Sequence, residues 1–134
     1  MARRPSRFPT ELELQLLKIL WKDGPLPVRE IREALAENEQ RELAHTTVVT
    51  ILHTMTDKKL VDRERVNGKT YNFSARVTEQ AVSSRMLDDL LNRVFDGSAA
   101  ALVLNLLESE QVGDEEHREL RRLINRRRGK GDKS

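Results

Sequence analysis

The residues best suited to chemistry in this chain are polar side chains that recur at helical spacing between residues 44 and 59. At 100° per residue, one side of this predicted helix collects Thr46, Thr50, His53, Thr54 and Asp57, with Thr47 at its margin. A threonine hydroxyl can hydrogen bond a phosphate or a base edge, and its methyl group can contact a thymine methyl. Because threonine is a mediocre helix former, this clustering favours reading of DNA over an ordinary solvent-exposed face.

Basic side chains are concentrated in and after this helix. Residues 44–78 contain six Lys and Arg against three Asp and Glu, although the net charge of the chain is only +2. Each basic group that contacts a DNA phosphate makes binding more sensitive to salt. A solvated charge is an equally good interpretation of any one residue, so the prediction depends on the cluster. The candidate backbone contacts are Lys58, Arg63, Arg65 and Lys69, and Arg3, Arg4 and Arg7 could add a flexible arm.

Residues suited to catalysis or metal binding are sparse. His45 and His53 are two helical turns apart, about 12 Å, and His117 lies in another segment. His53 and Asp57 supply only two ligands, which is too few for a typical metal site. The chain has no cysteine, no glycine-rich phosphate loop and no nucleophile beside a base. We therefore expect neither an enzyme nor a protein with a metal or another cofactor.

The composition predicts a small folded protein with wide polar surfaces. Leu, Ile, Val and Phe account for 36 of the 134 residues, above the ~20% below which chains tend to be disordered. Charged residues amount to 34% and aromatic residues to 4%, which favours a mainly helical fold. No apolar run approaches the ~18 residues of a membrane span, and residues 1–10 lack the apolar stretch of a secretory leader. We expect a cytoplasmic protein without lipid contacts, which agrees with the lack of cysteine.

Two further helices are predicted before the threonine-rich one. Thr10 and Glu13 have the spacing of a capping box, which starts a helix predicted over residues 11–21. Pro27 suits the first turn of a second, short helix, because its missing N–H group has no partner there in any case. The apolar stripe of that second helix consists of Val28, Ile31 and Leu35.

A β-hairpin is predicted after the third helix. Residues 61–66 and 70–74 are β-prone and flank Asn67 and Gly68, a pair that favours a type I′ turn. Three helices and a hairpin are the order of a winged helix-turn-helix, in which the third helix enters the major groove and the hairpin, or wing, lies along the backbone. The predicted fold is therefore mainly α with a small β-hairpin, and residues 1–77 form a winged helix-turn-helix DNA-binding domain with a basic N-terminal arm.

Residues 78–128 are predicted to form a helical dimerisation region, followed by a basic, frayed tail over residues 129–134. Gly97 ends one helix and Ser98 caps the next, whose residues 99–107 are apolar nearly all the way round. A second copy of the chain is the simplest cover for this surface, although the helices could instead pack on their own winged-helix domain. A two-fold dimer would place two recognition helices on the half-sites of a pseudo-palindrome. The candidate dimerisation residues are Met86, Leu87, Leu90, Leu91, Val94, Phe95, Leu102 and Leu106.

Along nearly its whole length the sequence resembles the penicillinase-repressor family of BlaI, MecI and CopY type. The matching segments are residues 11–21, 27–31, 46–52 (TTVVTIL), 68–73 (GKTYNF), 95–98 (FDGS) and 101–103 (ALV). The resemblance implies a homodimeric transcriptional repressor that occupies promoter operators, in relatives that control β-lactam resistance or copper-export genes. It implies base reading by Thr46, Thr47 and Thr50, and backbone contacts by Arg63, Arg65 and Lys69.

The resemblance also implies a switch. In the β-lactam branch, a membrane sensor-protease signals cleavage of the repressor after an asparagine that matches Asn105; here Leu106 follows, where staphylococcal members have phenylalanine. An asparagine in an apolar helix can equally fix the register of an interface, as it does in coiled coils. The copper branch binds metal through C-terminal cysteines, which this chain lacks. Thr54, Lys59 and Ala75 also depart from the Arg, Gly and Pro frequent in relatives.

Two other functions fit the same fold. A winged helix can act as a protein-interaction module, and a basic surface can bind DNA without sequence preference. A specific reader should prefer DNA from its own upstream region, whereas the two alternatives should show no preference among DNA sequences.

Overall fold

The computed structural model describes residues 8–131, with side chains over residues 8–129. The predicted basic arm, with Arg3, Arg4 and Arg7, lies outside the described residues, as do residues 132–134. The elements in chain order are α1 (Glu11–Asp23), β1 (Leu26–Pro27), α2 (Val28–Asn38), α3 (His45–Asp57), β2 (Val61–Asn67), β3 (Thr70–Ala75), α4 (Glu79–Val94), α5 (Ala99–Glu108) and α6 (Asp114–Gly131). The mainly α fold with a small antiparallel sheet is confirmed.

The described chain forms two compact units, one up to residue 86 and one from residue 87 on. The first unit contains the three helices and the sheet, together with the first half of α4. Its core is built from apolar side chains of α1, α2, α3 and the sheet, which are Leu16, Leu17, Ile19, Leu20, Ile31, Leu35, Val48, Leu52, Met55, Val61 and Phe73. The indole N–H of Trp21 donates to the carbonyl of Val77 at 2.9 Å and so ties the end of α1 to the chain that leaves the sheet.

Helix α1 begins with the predicted capping box. The Thr10 N–H donates to Glu13 Oε1 at 2.8 Å, and the Glu13 N–H donates to Thr10 Oγ1 at 3.2 Å. Lys58 Nζ, just after α3, lies 2.8 Å from the same Glu13 oxygen. The side chains of Glu13 and Lys58 are only 5% and 18% exposed. This partly buried ion pair therefore links the start of α1 to the end of α3.

The sheet has one strand more than the sequence predicted. β1 pairs antiparallel with β3, with Leu26 opposite Phe73 and Pro27 opposite Asn72, and the strand order is β1-β3-β2. Pro27 is thus an extended edge-strand residue that precedes α2, whereas the sequence had placed it in the first helical turn. A proline fits this position because an edge strand has one side without ladder hydrogen bonds.

The hairpin turn is also shifted by one residue from its predicted position. Asn67 is the last residue of β2 and pairs with Thr70, so Gly68 and Lys69 form the turn. Within the described residues of the hairpin only Gly68 has positive φ, at 52°. A type I′ turn needs positive φ at both central residues, whereas type II′ needs it only at the first. The type I′ prediction was therefore wrong, and a register shift between Arg65 and Asn67 accommodates the change.

In the second unit the break predicted between two helices at Gly97 and Ser98 is confirmed. Gly97, with φ of 82°, donates its N–H to the Leu91 carbonyl at the end of α4, and the Ser98 hydroxyl accepts from the Ala101 N–H at the start of α5. α6 continues to Gly131, so residues 129–131 are helical where the sequence predicted the start of a frayed tail.

We expect Lys58→Ala to lower the free energy of unfolding by about 1–3 kcal/mol, because it leaves the buried Glu13 carboxylate without its cation. Lys59→Ala is the matched control, since Lys59 is exposed and should change stability by less than about 0.5 kcal/mol. Urea denaturation followed by the fluorescence of Trp21, the only tryptophan of the chain, measures both. Equal stabilities of the two variants would contradict the prediction.

Candidate nucleic-acid interface

Helix α3 presents its threonine-rich side to solvent. Val48, Leu52 and Met55 have no exposed surface, so their packing fixes the rotation of the helix about its axis. The opposite side is exposed as predicted: Asp57 lies at its C-terminal end, and the rest of it consists of Thr46, Thr47, Thr50, His53 and Thr54. We call these five residues the threonine face.

Two hydroxyl groups of the threonine face are already used as donors. Thr50 Oγ1 donates to the Thr46 carbonyl at 2.9 Å, and Thr54 Oγ1 donates to the Thr50 carbonyl at 3.2 Å. A threonine hydroxyl has one proton but two acceptor lone pairs. These two hydroxyls are therefore equipped to accept hydrogen bonds from base amino groups, and their methyl groups remain suited to thymine contacts.

The wing separates its charges between the two sides of the sheet. Successive side chains of a strand point to opposite faces, so the run Asp62-Arg63-Glu64-Arg65 divides into a basic pair and an acidic pair. Arg63 lies opposite Phe73 and Arg65 opposite Tyr71 in the register of β2 and β3. The basic side therefore also carries the aromatic residues, and the run has one cationic surface although its net charge is zero.

Tyr71 is the centre of the basic side of the wing. The guanidinium carbons of Arg63 and Arg65 lie 4.9 and 5.3 Å from its ring centroid, within the range of cation–π contacts. Arg65 also donates a 2.8 Å hydrogen bond to the Tyr71 hydroxyl. This hydrogen bond, with the charges of Arg65 and Arg63, holds the pKa of Tyr71 below its ordinary value. The tyrosine thus aligns two guanidinium groups on one surface.

The candidate backbone contacts do not all lie on this surface. Lys69, in the hairpin turn, and Arg63 line one groove between the wing and α3, together with residues of α2 and α3. Lys58 is instead engaged with the buried Glu13 carboxylate, so we remove it from the set of proposed phosphate contacts. Arg29, His45 and Tyr71 join the site although sequence reasoning missed them; the alternation of charge in β2 was the available indication for the wing.

The second unit exposes many of the residues predicted for dimerisation. Met86 at the boundary, together with Leu87, Leu90, Val94 and Leu106, is 37–61% exposed, whereas Leu91, Phe95 and Leu102 are partly buried. Leu104, Leu123 and Ile124 are exposed as well, although they were not among the predicted dimerisation residues. Asn105 lies within α5 and is exposed.

The described part of the chain has neither a cluster of metal ligands nor a single helix that could cross a membrane. Residues 8–131 contain no group of three or more His, Cys, Asp or Glu side chains placed to hold a metal ion. No single helix there is long and apolar enough to cross a membrane. Only α4 and α5 taken together have the required length and apolar composition, and the chain bends by 95° between them.

We expect Arg65→Ala to raise the pKa of Tyr71 towards the ordinary tyrosine value, because the largest cause of its depression is removed. Arg63→Ala should raise it less, and Arg76→Ala, whose guanidinium pairs with Asp62, should leave it unchanged. The chain has one tyrosine, so alkaline titration by ultraviolet absorbance reports this group alone. A larger effect of Arg63 than of Arg65 would contradict the arrangement.

Known structures show a related fold. The structure of RosR from H. salinarum matches with a TM-score of 0.53, over 90% of this chain and 94% of that chain, at 15% sequence identity. A second RosR structure, described as a complex, matches with a TM-score of 0.53 over 90% of both chains. At such low identity the likeness establishes the fold alone, which is that of winged-helix regulators.

Sequence comparisons identify relatives over most of the chain. The methicillin resistance regulatory protein MecI of Mammaliicoccus sciuri is 26% identical over 115 residues, which cover 86% of this chain and 91% of that protein. The transcriptional regulator BlaI of Mycobacterium tuberculosis is 31% identical over 115 residues, 85% of this chain and 80% of that protein. The protein-family model for the penicillinase repressor matches residues 9–126 of this chain. The chain therefore belongs to the penicillinase repressor family.

Proposed function

We propose that this protein is a homodimeric, sequence-specific DNA-binding transcriptional repressor that occupies a pseudo-palindromic promoter operator. The observation that carries the proposal is the position of the threonine face beside the basic, aromatic side of the wing, with Arg63 and His53 lining the same groove. The family of the chain supports repression, because its relatives are named as repressors and regulators. The protein then acts by binding DNA in the cytoplasm, without catalysis and without a cofactor.

The threonine face is suited to base edges and the wing to the backbone. Thr46, Thr47, Thr50, His53 and Thr54 combine acceptor oxygens, methyl groups and an imidazole, and none carries a fixed charge. Arg63, Arg65 and Lys69 supply the positive charge that phosphate contacts require. The first group therefore sets sequence preference, and the second sets affinity for any DNA.

The second unit is proposed to hold two copies together. Its exposed leucines and valine form an apolar surface that is costly in water and that a second copy can cover. Release of the operator then follows from any event that separates the copies. Cleavage between Asn105 and Leu106, on a signal from a membrane sensor-protease pathway, would be one such event, because both residues lie in α5 of this unit.

We expect Thr50→Ala to weaken binding to the operator about five- to tenfold while binding to a scrambled duplex stays nearly constant, because a base contact is lost. Lys69→Ala should weaken both about equally and lower the salt dependence of log K by about 0.9, because a phosphate contact is lost. Lys18→Ala, an exposed lysine of α1, is the matched control and should change neither.

Fluorescence anisotropy on DNA from upstream of the protein's own gene, between about 50 and 200 mM salt, measures these effects. Equal losses of Thr50→Ala on both duplexes would remove Thr50 from base reading. Wild-type binding without sequence preference would favour a non-specific binder, and no binding to DNA would favour a protein-interaction module.

We expect Leu90→Asp to convert a dimer into a monomer and to reduce binding to the full operator far more than binding to a single half-site, because it places a charge in the apolar surface. Asn92→Asp adds the same charge at an exposed polar position of α4 and should leave the dimer intact. Sedimentation velocity and anisotropy on full and half operators measure both. A monomeric wild type would contradict the proposed assembly.

A further inference from the structure

A groove of about 520 Å³ lies between α3, the wing and the start of α2. Its lining combines apolar residues, including Val49 and Phe73, with side chains that carry or can take a positive charge. The latter come from four parts of the first unit, and they are Arg29, His45, His53, Arg63 and Lys69. Of the described residues that line the groove, none is Asp or Glu.

The acidic side chains of the neighbouring elements lie on other surfaces. Asp62 and Glu64 alternate with Arg63 along β2 and therefore occupy the opposite side of the sheet. Glu33 lies 3.7 Å from Arg29; Glu33 and Glu42 line a neighbouring hollow that shares Arg29 with the groove, but neither lines the groove itself. The groove is thus a concentration of positive charge on a protein of small net charge, which suits an anion.

The two histidines face this positive charge and no lining carboxylate. On their own segment, Glu42 precedes His45 by three residues and Asp57 follows His53 by four, but neither lines the groove. Arg63 and Lys69 from the wing and Arg29 from α2 line the same groove as the two histidines. An imidazole takes up a proton more readily when an anion comes close to it.

The position of the groove favours a phosphate of the DNA backbone over a free anion. His53 belongs both to the threonine face and to the groove, and Arg63 and Lys69 belong both to the wing and to the groove. The groove therefore lies between the two surfaces that a bound duplex is proposed to contact. The backbone of such a duplex can present a phosphate to the cationic lining.

We propose that this groove binds a backbone phosphate of the operator and that His45 and His53 take up protons as it binds. The inference rests on the proposed DNA-binding function and adds a site and a proton linkage to it. Arginine and lysine side chains keep their charge near neutral pH, whereas an imidazole can gain a charge there when an anion approaches it. The phosphodiester remains an anion across this range.

The sign of the effect follows from proton linkage. The bound state holds more protons than the free protein and free DNA, so affinity rises as the pH falls. Each proton taken up on binding raises the affinity by at most about tenfold per pH unit, so we expect binding to be severalfold tighter at pH 5.5 than at pH 7.5.

The test measures anisotropy of the full chain on its operator duplex at these two pH values and constant ionic strength. We expect His45→Gln and His53→Gln each to lose part of the pH dependence and the double variant to lose nearly all of it. His117→Gln, a histidine of α6, is the matched control and should keep it. Both groove histidines are exposed, so the variants should melt at the wild-type temperature.

The outcomes separate this inference from the proposed function. Sequence-specific binding whose pH dependence is unchanged in the double variant overturns the inference and leaves the proposed function standing. Wild-type binding without sequence preference at either pH overturns the proposed function itself.

The source of the phosphate is tested with modified DNA. A scan of single, uncharged methylphosphonate groups along each strand should identify a position at which the wild-type pH dependence is lost. If no position has this effect, the assignment to the backbone fails. Inorganic phosphate exchanged for chloride at constant ionic strength should leave DNA affinity within about twofold, and a saturable loss of affinity would show that the groove takes the free anion instead.

Discussion

The buried side of α3 determines what its other side can do. Val48, Leu52 and Met55 pack into the core without any exposed surface, and a rotation of the helix would expose them at a cost of about 1.5–3 kcal/mol each. That cost holds the threonine face in one orientation. The ion pair between Lys58 and Glu13 adds a second restraint at the end of the helix, since it fixes where α3 stops relative to α1. A helix that must meet base edges within hydrogen-bonding distance needs such restraints, because a short displacement would break every contact at once.

The distribution of charge in the wing depends on a simpler constraint: successive side chains of a β-strand point to opposite sides of the sheet. The sequence Asp-Arg-Glu-Arg has no net charge, yet the pleat gives the sheet a basic side and an acidic side. Tyr71 then holds Arg63 and Arg65 together on the basic side, where like charges would otherwise separate them. The local charge of a protein surface therefore depends on strand geometry as well as on composition. A chain with a net charge of +2 can thus have a strongly cationic groove.

The features predicted correctly from the sequence are those set by near neighbours in the chain. The capping box of α1, the exposed side of α3 and the cap at Ser98 each depend on residues three or four positions apart. The features missed depend on distant partners. β1 exists because Leu26 and Pro27 pair with β3, more than forty residues later in the chain. Lys58, predicted to contact a DNA phosphate, instead pairs with Glu13, 45 residues earlier. The groove was not predicted for the same reason: α2, α3 and the wing each contribute residues to it, and no single segment contains the cluster of positive charge.

The division of the chain into two units gives the proposed repressor a way to lose its operator without any change in the groove or the threonine face. Two linked DNA-binding units act on two half-sites with an effective concentration that far exceeds that of free protein, so the dimer binds much more tightly than either copy alone. Separation of the copies removes that advantage while each α3 keeps its own contacts. In the proposed dimer, DNA binding would therefore be sensitive to changes at the exposed apolar residues of the second unit. A cut in α5 or a ligand that covers Leu104 or Leu106 would weaken DNA binding from a unit that need not contact DNA. Proton uptake in the groove would act in the other unit and on each copy separately, so its effect on the dimer is the product of the effects at the two half-sites.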